Sequence, residues 1–273
     1  VFARDLDTGN AKWAMQMTPH DEWDYDGINE VILFDKDGKT YANHMDRNGF
    51  VYTWDAHTGS LVVANKVHSF VNWATDVDLK TGVPNKLASA STHQDYNAKG
   101  VCPAALGTKD QQPAAYSPRT GLMYIPLNHV CMTYEPVESK YVAGQPWVGA
   151  TLTMFAGPDG VMGGFTAWDP IKGKNVWYNK EKFSAWGGVL TTASDLVFYG
   201  TLDRWFKAVD AQSGKELWKF QVGSGVIGNA FTYGHKGKQY VGVLSGIGGW
   251  AGVAMNLGMK GHFDADHHFG FEG

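Results

Sequence analysis

A chain of 273 residues that is 44% hydrophobic and only 18% charged has enough apolar material for a core and is not a disordered segment. Its formal charge of −4, with no run of five like charges, excludes the electrostatic footprint of a nucleic-acid or anionic-membrane binder. No stretch approaches the ~18 apolar residues of a membrane span, and 34 Gly with 14% aromatic residues point to an all-β fold of short strands and tight turns.

The chain opens on Val1-Phe2-Ala3-Arg4-Asp5, which reads as the middle of a strand and not as a signal peptide, so a truncated N-terminus is expected. A repeat begins there: small-x-Asp-x-x-x-Gly-x-x-x-Trp, as Ala3, Asp5, Gly9, Trp13. It recurs as Ala167, Asp169, Gly173, Trp177 and as Ala208, Asp210, Gly214, Trp218, while Thr53, Asp55, Gly59, Val63 keeps the spacing without the tryptophan. Each copy reads as a hairpin in which Asp caps the turn, Gly supplies a positive φ and Trp pegs the returning strand. The Asp-to-Asp intervals are 50, 114 and 41 residues, and the long one is expected to hide a degenerate copy around Ser117-Pro118-Arg119-Thr120-Gly121. A period of ~40 to 50 residues is that of a four-stranded propeller blade, so the expectation is a β-propeller with about five blades present. Strand-like runs lie at Val31–Phe34, Leu122–Leu127, Leu196–Tyr199 and Gln239–Leu244, with no convincing helical stripe.

Between the first two copies lies a carboxylate cluster, Asp21, Glu22, Asp24, Asp26 and Glu30, which suits either an oxygen-ligand cation site or a solvated acidic loop. An EF-hand numbered from Glu22 fails because its twelfth position is Leu33. Alternation in an extended segment would put Asp24 and Asp26 on one face with Tyr25 opposite. Arg47 alone reads as a surface arginine, Asn128 as a turn residue, and Trp186 and Trp250 as core pegs in Gly-flanked settings that allow close backbone approach. Cys102 and Cys131 belong to no C-x-x-C pair, and composition leaves a structural disulfide and two buried thiols equally open. The terminal His262, Asp264, Asp266, His267 and His268 could bind a transition metal, but a frayed tail is the better expectation.

The tryptophan hairpins resemble the docking motif of the pyrroloquinoline quinone (PQQ) dependent dehydrogenases, whose catalytic subunit is an eight-bladed propeller. Four further segments sharpen the resemblance: Thr18-Pro19-His20-Asp21-Glu22-Trp23-Asp24-Tyr25-Asp26-Gly27, Asp46-Arg47-Asn48-Gly49, Asn128-His129-Val130-Cys131, and Trp186-Gly187-Gly188 followed by Gly248-Gly249-Trp250. In this order they look like the C-terminal half of a methanol dehydrogenase large subunit of the lanthanide type, over nearly residues 1 to 255. Residues 1–273 are thus expected to be part of a single propeller, with 259–273 a tail that does not match the family's last strand.

The resemblance implies that Asp24 is the general base that takes the alcohol proton while hydride passes to the quinone C5. It implies that Asp24 and Asp26 bind a lanthanide, since calcium-type relatives carry a small residue at the position of Asp26. A trivalent ion of about calcium's size takes eight or more hard oxygen ligands, and a further carboxylate offsets its extra charge. Such a cation would lower the pKa of Asp24. By the same resemblance Arg47, Asn128, Trp186, Gly249 and Trp250 hold PQQ, and Cys102 and Cys131 form a disulfide; the family's vicinal-cysteine ring is absent. The family's other metal ligands, a glutamate and an asparagine, belong to an N-terminal half, which is expected as a necessary partner of this chain. The expected function is periplasmic oxidation of methanol or another small primary alcohol, with electrons passed to a soluble c-type cytochrome by a homodimer. A calcium-dependent PQQ alcohol dehydrogenase and a non-catalytic propeller scaffold are the alternatives.

Overall fold

The computed structural model describes residues 1–145, 149–249 and 251; Trp250 and the 259–273 tail lie outside them. The chain begins with a hairpin of β1 (Phe2–Arg4) and β2 (Ala11–Ala14), then builds a four-stranded antiparallel sheet from β3 (Ile32–Lys36), β4 (Lys39–Met45), β5 (Phe50–Asp55) and β6 (Leu61–Lys66). A hairpin of β7 (Ala74–Val77) and β8 (Pro84–Lys86) follows, and then β9 (Ala98–Val101). The next four-stranded sheet is made of β10 (Ala115–Ser117), β11 (Leu122–Asn128), β14 (Gly163–Asp169) and β15 (Lys174–Glu181). Between its second and third strands the chain leaves to form β12 (Val130–Pro136) and β13 (Ala150–Ala156), which pair with β9 as a three-stranded sheet. A third four-stranded sheet comprises β16 (Leu190–Thr191), β17 (Leu196–Gly200), β18 (Trp205–Asp210) and β19 (Glu216–Gln221), and β20 (Phe231–His235) pairs with β21 (Lys238–Gly242). The five expected units correspond to three whole sheets flanked by two hairpins.

The repeat motif builds the same turn each time. In the turns after β1, β5, β14 and β18, Oδ1 of Asp5, Asp55, Asp169 and Asp210 accepts hydrogen bonds from the N–H groups two and three residues on. The glycine four residues on has φ between +63° and +74°, the left-handed region that an L side chain enters at a cost. Trp13 and Trp177 then dock on the turn of the neighbouring sheet, whereas Trp218 is half exposed and packs on Phe206 and Phe220 of its own sheet. A Cβ on Gly59 would lie 2.5 Å from Trp13, and one on Gly214 would lie 2.6 Å from Trp177. Trp13 and Trp177 each donate from Nε1 to a backbone carbonyl in the turn they cover, Ala56 and Ala211, at 3.0 Å. Where Val63 replaces the peg, Asn65 donates to the Gly173 carbonyl at 2.9 Å, so the sheets stay tied without the indole.

One expectation is corrected. Ser117–Gly121 is the turn from β10 to β11, the first hairpin of its sheet, whereas the motif occupies the third. The interval of 114 residues also holds the β7–β8 hairpin, β9 and the excursion of β12 and β13, and Asn128 pairs directly with Gly163 across that excursion. Cys102 and Cys131 are disulfide-bonded, tying the end of β9 to β12 of that excursion.

Candidate functional site

The 21–30 segment connects the first hairpin to β3 and has no regular secondary structure. Its two aromatic residues anchor it: Trp23 and Tyr25 are fully buried against Trp73, with Trp23 Nε1 donating to Ala90 O at 2.6 Å and Tyr25 Oη to Pro103 O at 2.5 Å. Asp21 folds the segment by accepting from Trp23 N at 2.9 Å and Tyr25 N at 2.5 Å. The result is the alternation expected of a strand, with Tyr25 in and Asp24 and Asp26 out, reached by a different route. Asp24 has φ +68°, a left-handed conformation that a strand would not contain.

The structure divides the acidic cluster. Glu22 accepts from Ser91 Oγ, Thr92 N and Lys86 Nζ, and Glu30 accepts from Lys109 Nζ at 2.6 Å and Ala114 N at 2.7 Å. With Asp21 committed to the loop backbone, only Asp24 and Asp26 are left with ligating oxygens open, their side chains 65% and 79% exposed. Arg47 reaches both: Nη2 lies 3.9 Å from Asp24 Oδ2 and Nη1 lies 3.8 Å from Asp26 Oδ1. The Asp24 carboxyl is pushed up to about 7, first by partial removal from water and then by a hydrogen bond with Asp26, which outweigh the opposing pull of Arg47. A carboxylate whose proton affinity is raised beside a second carboxylate is short of positive charge, and that is the electrostatic condition of a cation site. The lowered pKa expected for Asp24 belongs to the state with the cation bound.

Arg47 and Asn128 come together through the 105–108 strip. Arg47 Nη2 donates to Ala105 O, Thr108 N donates to Arg47 O at 2.9 Å, and Asn128 N donates to Thr108 O at 2.7 Å. A Cβ at Gly107, φ +74°, would lie 2.6 Å from Arg47 Cβ, so this close approach requires glycine. Asn128 Nδ2 points back to Gly107 O at 3.3 Å. Arg47 Nε and Asn128 Oδ1 are both buried without a hydrogen-bond partner. An unpaired donor and an unpaired acceptor on adjoining segments fit a polar ligand that completes them, since buried polar groups are otherwise satisfied. Trp186 is buried in the same aromatic core as Trp23 and Tyr25, and Gly188 after it presses on Asn229, where a Cβ would meet Oδ1 at 2.1 Å. Gly249 has φ +52° with open space around it, and Trp250 lies outside the described residues.

Sequence reasoning missed the supports behind these groups. His44 Nε2 and Asp46 Oδ1 form a buried pair at 3.0 Å, and Asp46 packs under Gly27, where any Cβ would lie 2.1 Å from Oδ1. Lys109, fully buried, holds Glu30. Adjacency in sequence is the only signal of either: Asp46 precedes Arg47, and Glu30 closes the acidic cluster. A depression of about 910 Å³, bounded by Met15, Met17, Thr18, Asp21, Tyr25 and Asp26 among others, opens beside Asp26.

Residues 161–241 match the model of the PQQ glucose/ethanol/alcohol dehydrogenase β-propeller domain. The chain is 58% identical over 273 residues to a lanthanide-dependent methanol dehydrogenase of Methylorubrum extorquens, an alignment that takes in 95% of this chain and 45% of that protein. It is 48% identical over 266 residues to subunit 1 of a methanol dehydrogenase (cytochrome c) of Methylobacterium organophilum, covering 93% of this chain and 42% of that one. Among solved structures, a europium-containing methanol dehydrogenase superposes with a TM-score of 0.89 at 48% identity, covering 97% of this chain and 47% of that chain. The chain thus spans less than half the length of each of these relatives.

Proposed function

We propose that this chain, which is similar over nearly its whole length to part of a lanthanide-dependent methanol dehydrogenase, is part of a PQQ-dependent catalyst of that kind, oxidising methanol or another small primary alcohol to the aldehyde. The observation that carries the reading is the convergence of Asp24, Asp26 and Arg47, with two carboxylates short of a cation and unpaired atoms on Arg47 and Asn128. When bound, PQQ would accept the hydride at C5 and a lanthanide would act as Lewis acid, chemistry that no side chain of this chain supplies.

Asp24 and Asp26 would hold the ion from one side of the loop, their oxygens left free because Glu22 and Glu30 are engaged elsewhere. Asp24 takes the proton from the alcohol hydroxyl, and its left-handed backbone presents the carboxylate beside Arg47. Arg47 binds and orients, offering guanidinium donors to oxygens of the cofactor while its Nη2 is anchored on Ala105 O. Asn128 completes the cofactor contacts through Oδ1, Trp186 contributes apolar surface, and the family resemblance assigns Gly249 and Trp250 to the same cofactor. The remaining ligands come from the other half of the propeller; a homodimer, the periplasm and a soluble c-type cytochrome as electron acceptor complete the proposal.

The test is elemental analysis with quinone absorbance on the full-length protein purified from its native source. About one lanthanide per chain, with methanol-dependent dye reduction, is expected, and Asp26→Ala is expected to lower lanthanide content while sparing PQQ. Calcium in place of the lanthanide would overturn the metal assignment, and protein with neither metal nor quinone absorbance would overturn the enzyme reading in favour of a scaffold.

A further inference from the structure

A second group of ligating side chains lies behind Asn128, apart from the carboxylate pair. His129 follows it at the junction of β11 and β12, His68 lies just beyond β6, and Asp159 sits in the turn after β13, whose Gly157 N–H donates to His129 O at 2.8 Å. One ligand atom from each of the three lies within 4.8 Å of the others, and no other such triplet occurs among the described residues. We propose that His68, His129 and Asp159 form a binding site for a zinc-class transition ion, tying the β3–β6 sheet to the excursion of β12 and β13.

Two polar atoms here are not otherwise used. His129 is fully buried, yet its Nε2 has no hydrogen-bond partner, and Asp159 Oδ2 has none either. That oxygen lies at charge range from His129 Nδ1, 3.6 Å, and Lys180 Nζ, 3.7 Å. A buried imidazole with an unpaired nitrogen is costly unless something fills the position. The rings are already gathered: His68 and His129 are 4.6 Å apart between centroids, and Tyr178 stacks on His129 with its hydroxyl 3.0 Å from Nδ1. A tetrahedral zinc with bonds near 2.0–2.1 Å keeps its ligand atoms roughly 3.4 Å apart, so closing the triplet takes about an ångström of side-chain movement. His68 and Asp159 are only partly buried, which leaves the site a path to solvent.

Ligand type separates this site from the first. Two imidazoles and one carboxylate select a borderline transition ion, whereas Asp24 and Asp26 offer only hard oxygens suited to calcium or a lanthanide. Ligand histidines must be neutral, and burial followed by the neighbouring His68 holds the His129 imidazole down to about 3, so it is neutral at any ordinary pH. Lys180 opposes the ion, and Tyr178 serves as an outer partner that orients the imidazole.

Cobalt(II) as a spectroscopic stand-in for zinc tests this in the full-length holoenzyme with its own metal and quinone in place. One equivalent should produce intense tetrahedral d–d absorption that zinc displaces. His68→Ala and, separately, the surface-side change Asp159→Asn should each weaken binding by more than about 100-fold, beyond the loss typical of an outer-shell partner. Lys180→Met should tighten binding, and Asp26→Ala should leave it unchanged. Absence of the absorption, its persistence in both ligand variants, or its loss in Asp26→Ala would overturn the proposal. None of these results depends on whether the protein oxidises alcohols.

Discussion

The docking turns and the 21–26 loop are both built around aspartates, and the two sets of carboxylates have opposite surroundings. Asp5, Asp55 and Asp210 are held below the ordinary carboxylate range by hydrogen bonds from their own turns, led by Thr8 N–H, Thr58 N–H and Ser213 Oγ respectively. Asp24 is pushed up to about 7 by partial removal from water and by Asp26. A carboxylate satisfied by its own backbone stabilises a turn and has nothing left to offer. One placed beside a second carboxylate, with a guanidinium only at the edge of ion-pair range, keeps its oxygens open, as the proposed cation site requires. Residue type and local density of acid do not separate the two cases; the hydrogen-bond partners do.

The largest expected effect breaks the comparison at Asp24. Asp24→Asn in the holoenzyme should lower kcat for methanol by ~10²–10⁴-fold, the usual contribution of a positioned general base, with the urea midpoint little changed. A loss of stability without a specific loss of kcat would place Asp24 with the structural aspartates. Next in size is a contrast between two turns. Gly59→Ala forces a side chain into a left-handed residue and onto Trp13, and should cost about 3 kcal/mol in urea unfolding, whereas Gly9→Ala, with the same φ but open space, should cost about 1 kcal/mol. Equal losses would mean that the indole does not dock on the glycine.

The smallest effect concerns pH. Burial pushes the Asp169 carboxyl up, but hydrogen bonds led by Lys172 N–H and Ile171 N–H outweigh it and leave its pKa below the ordinary 3.8. A lowered folded pKa contributes stability that is complete above the unfolded value and is lost as pH falls through the folded one. Asp169→Asn should therefore lower the urea midpoint slightly at neutral pH, where the contribution is complete, and flatten the acid limb below about pH 4, so that the two proteins converge as pH falls. An unchanged acid limb would remove Asp169 from the stabilising set.

Much of this was readable in the chain because it is local. An Asp-x-x-x-Gly turn closes within five residues, so its spacing survives in sequence, and the all-β class and the strands near 31–34, 122–127, 196–199 and 239–244 followed from it. The same rule also finds Asp78–Gly82, the turn between β7 and β8, whose φ of +74° and bond from Gly82 N to Asp78 O repeat the pattern outside the four-stranded sheets. That turn shows why counting motifs miscounts blades. The interval of 114 residues could not be resolved by spacing, because pairing of Asn128 with Gly163 is a contact across the whole excursion.

By itself the sequence determined the turn chemistry, the strand-rich class and the short motifs that place Asp24, Asp26, Arg47, Asn128 and Trp186 in one family. Only the tertiary structure decided which acids remain available, since Glu22 is claimed by Ser91 and Thr92 and Glu30 by Lys109 and Ala114, some seventy to eighty-five residues away. It also decided that His68, His129 and Asp159 meet at all. The physical reason is the same in both cases: hydrogen bonds and ligand geometry act over a few ångströms of space, and across sheets that distance bears no relation to separation along the chain.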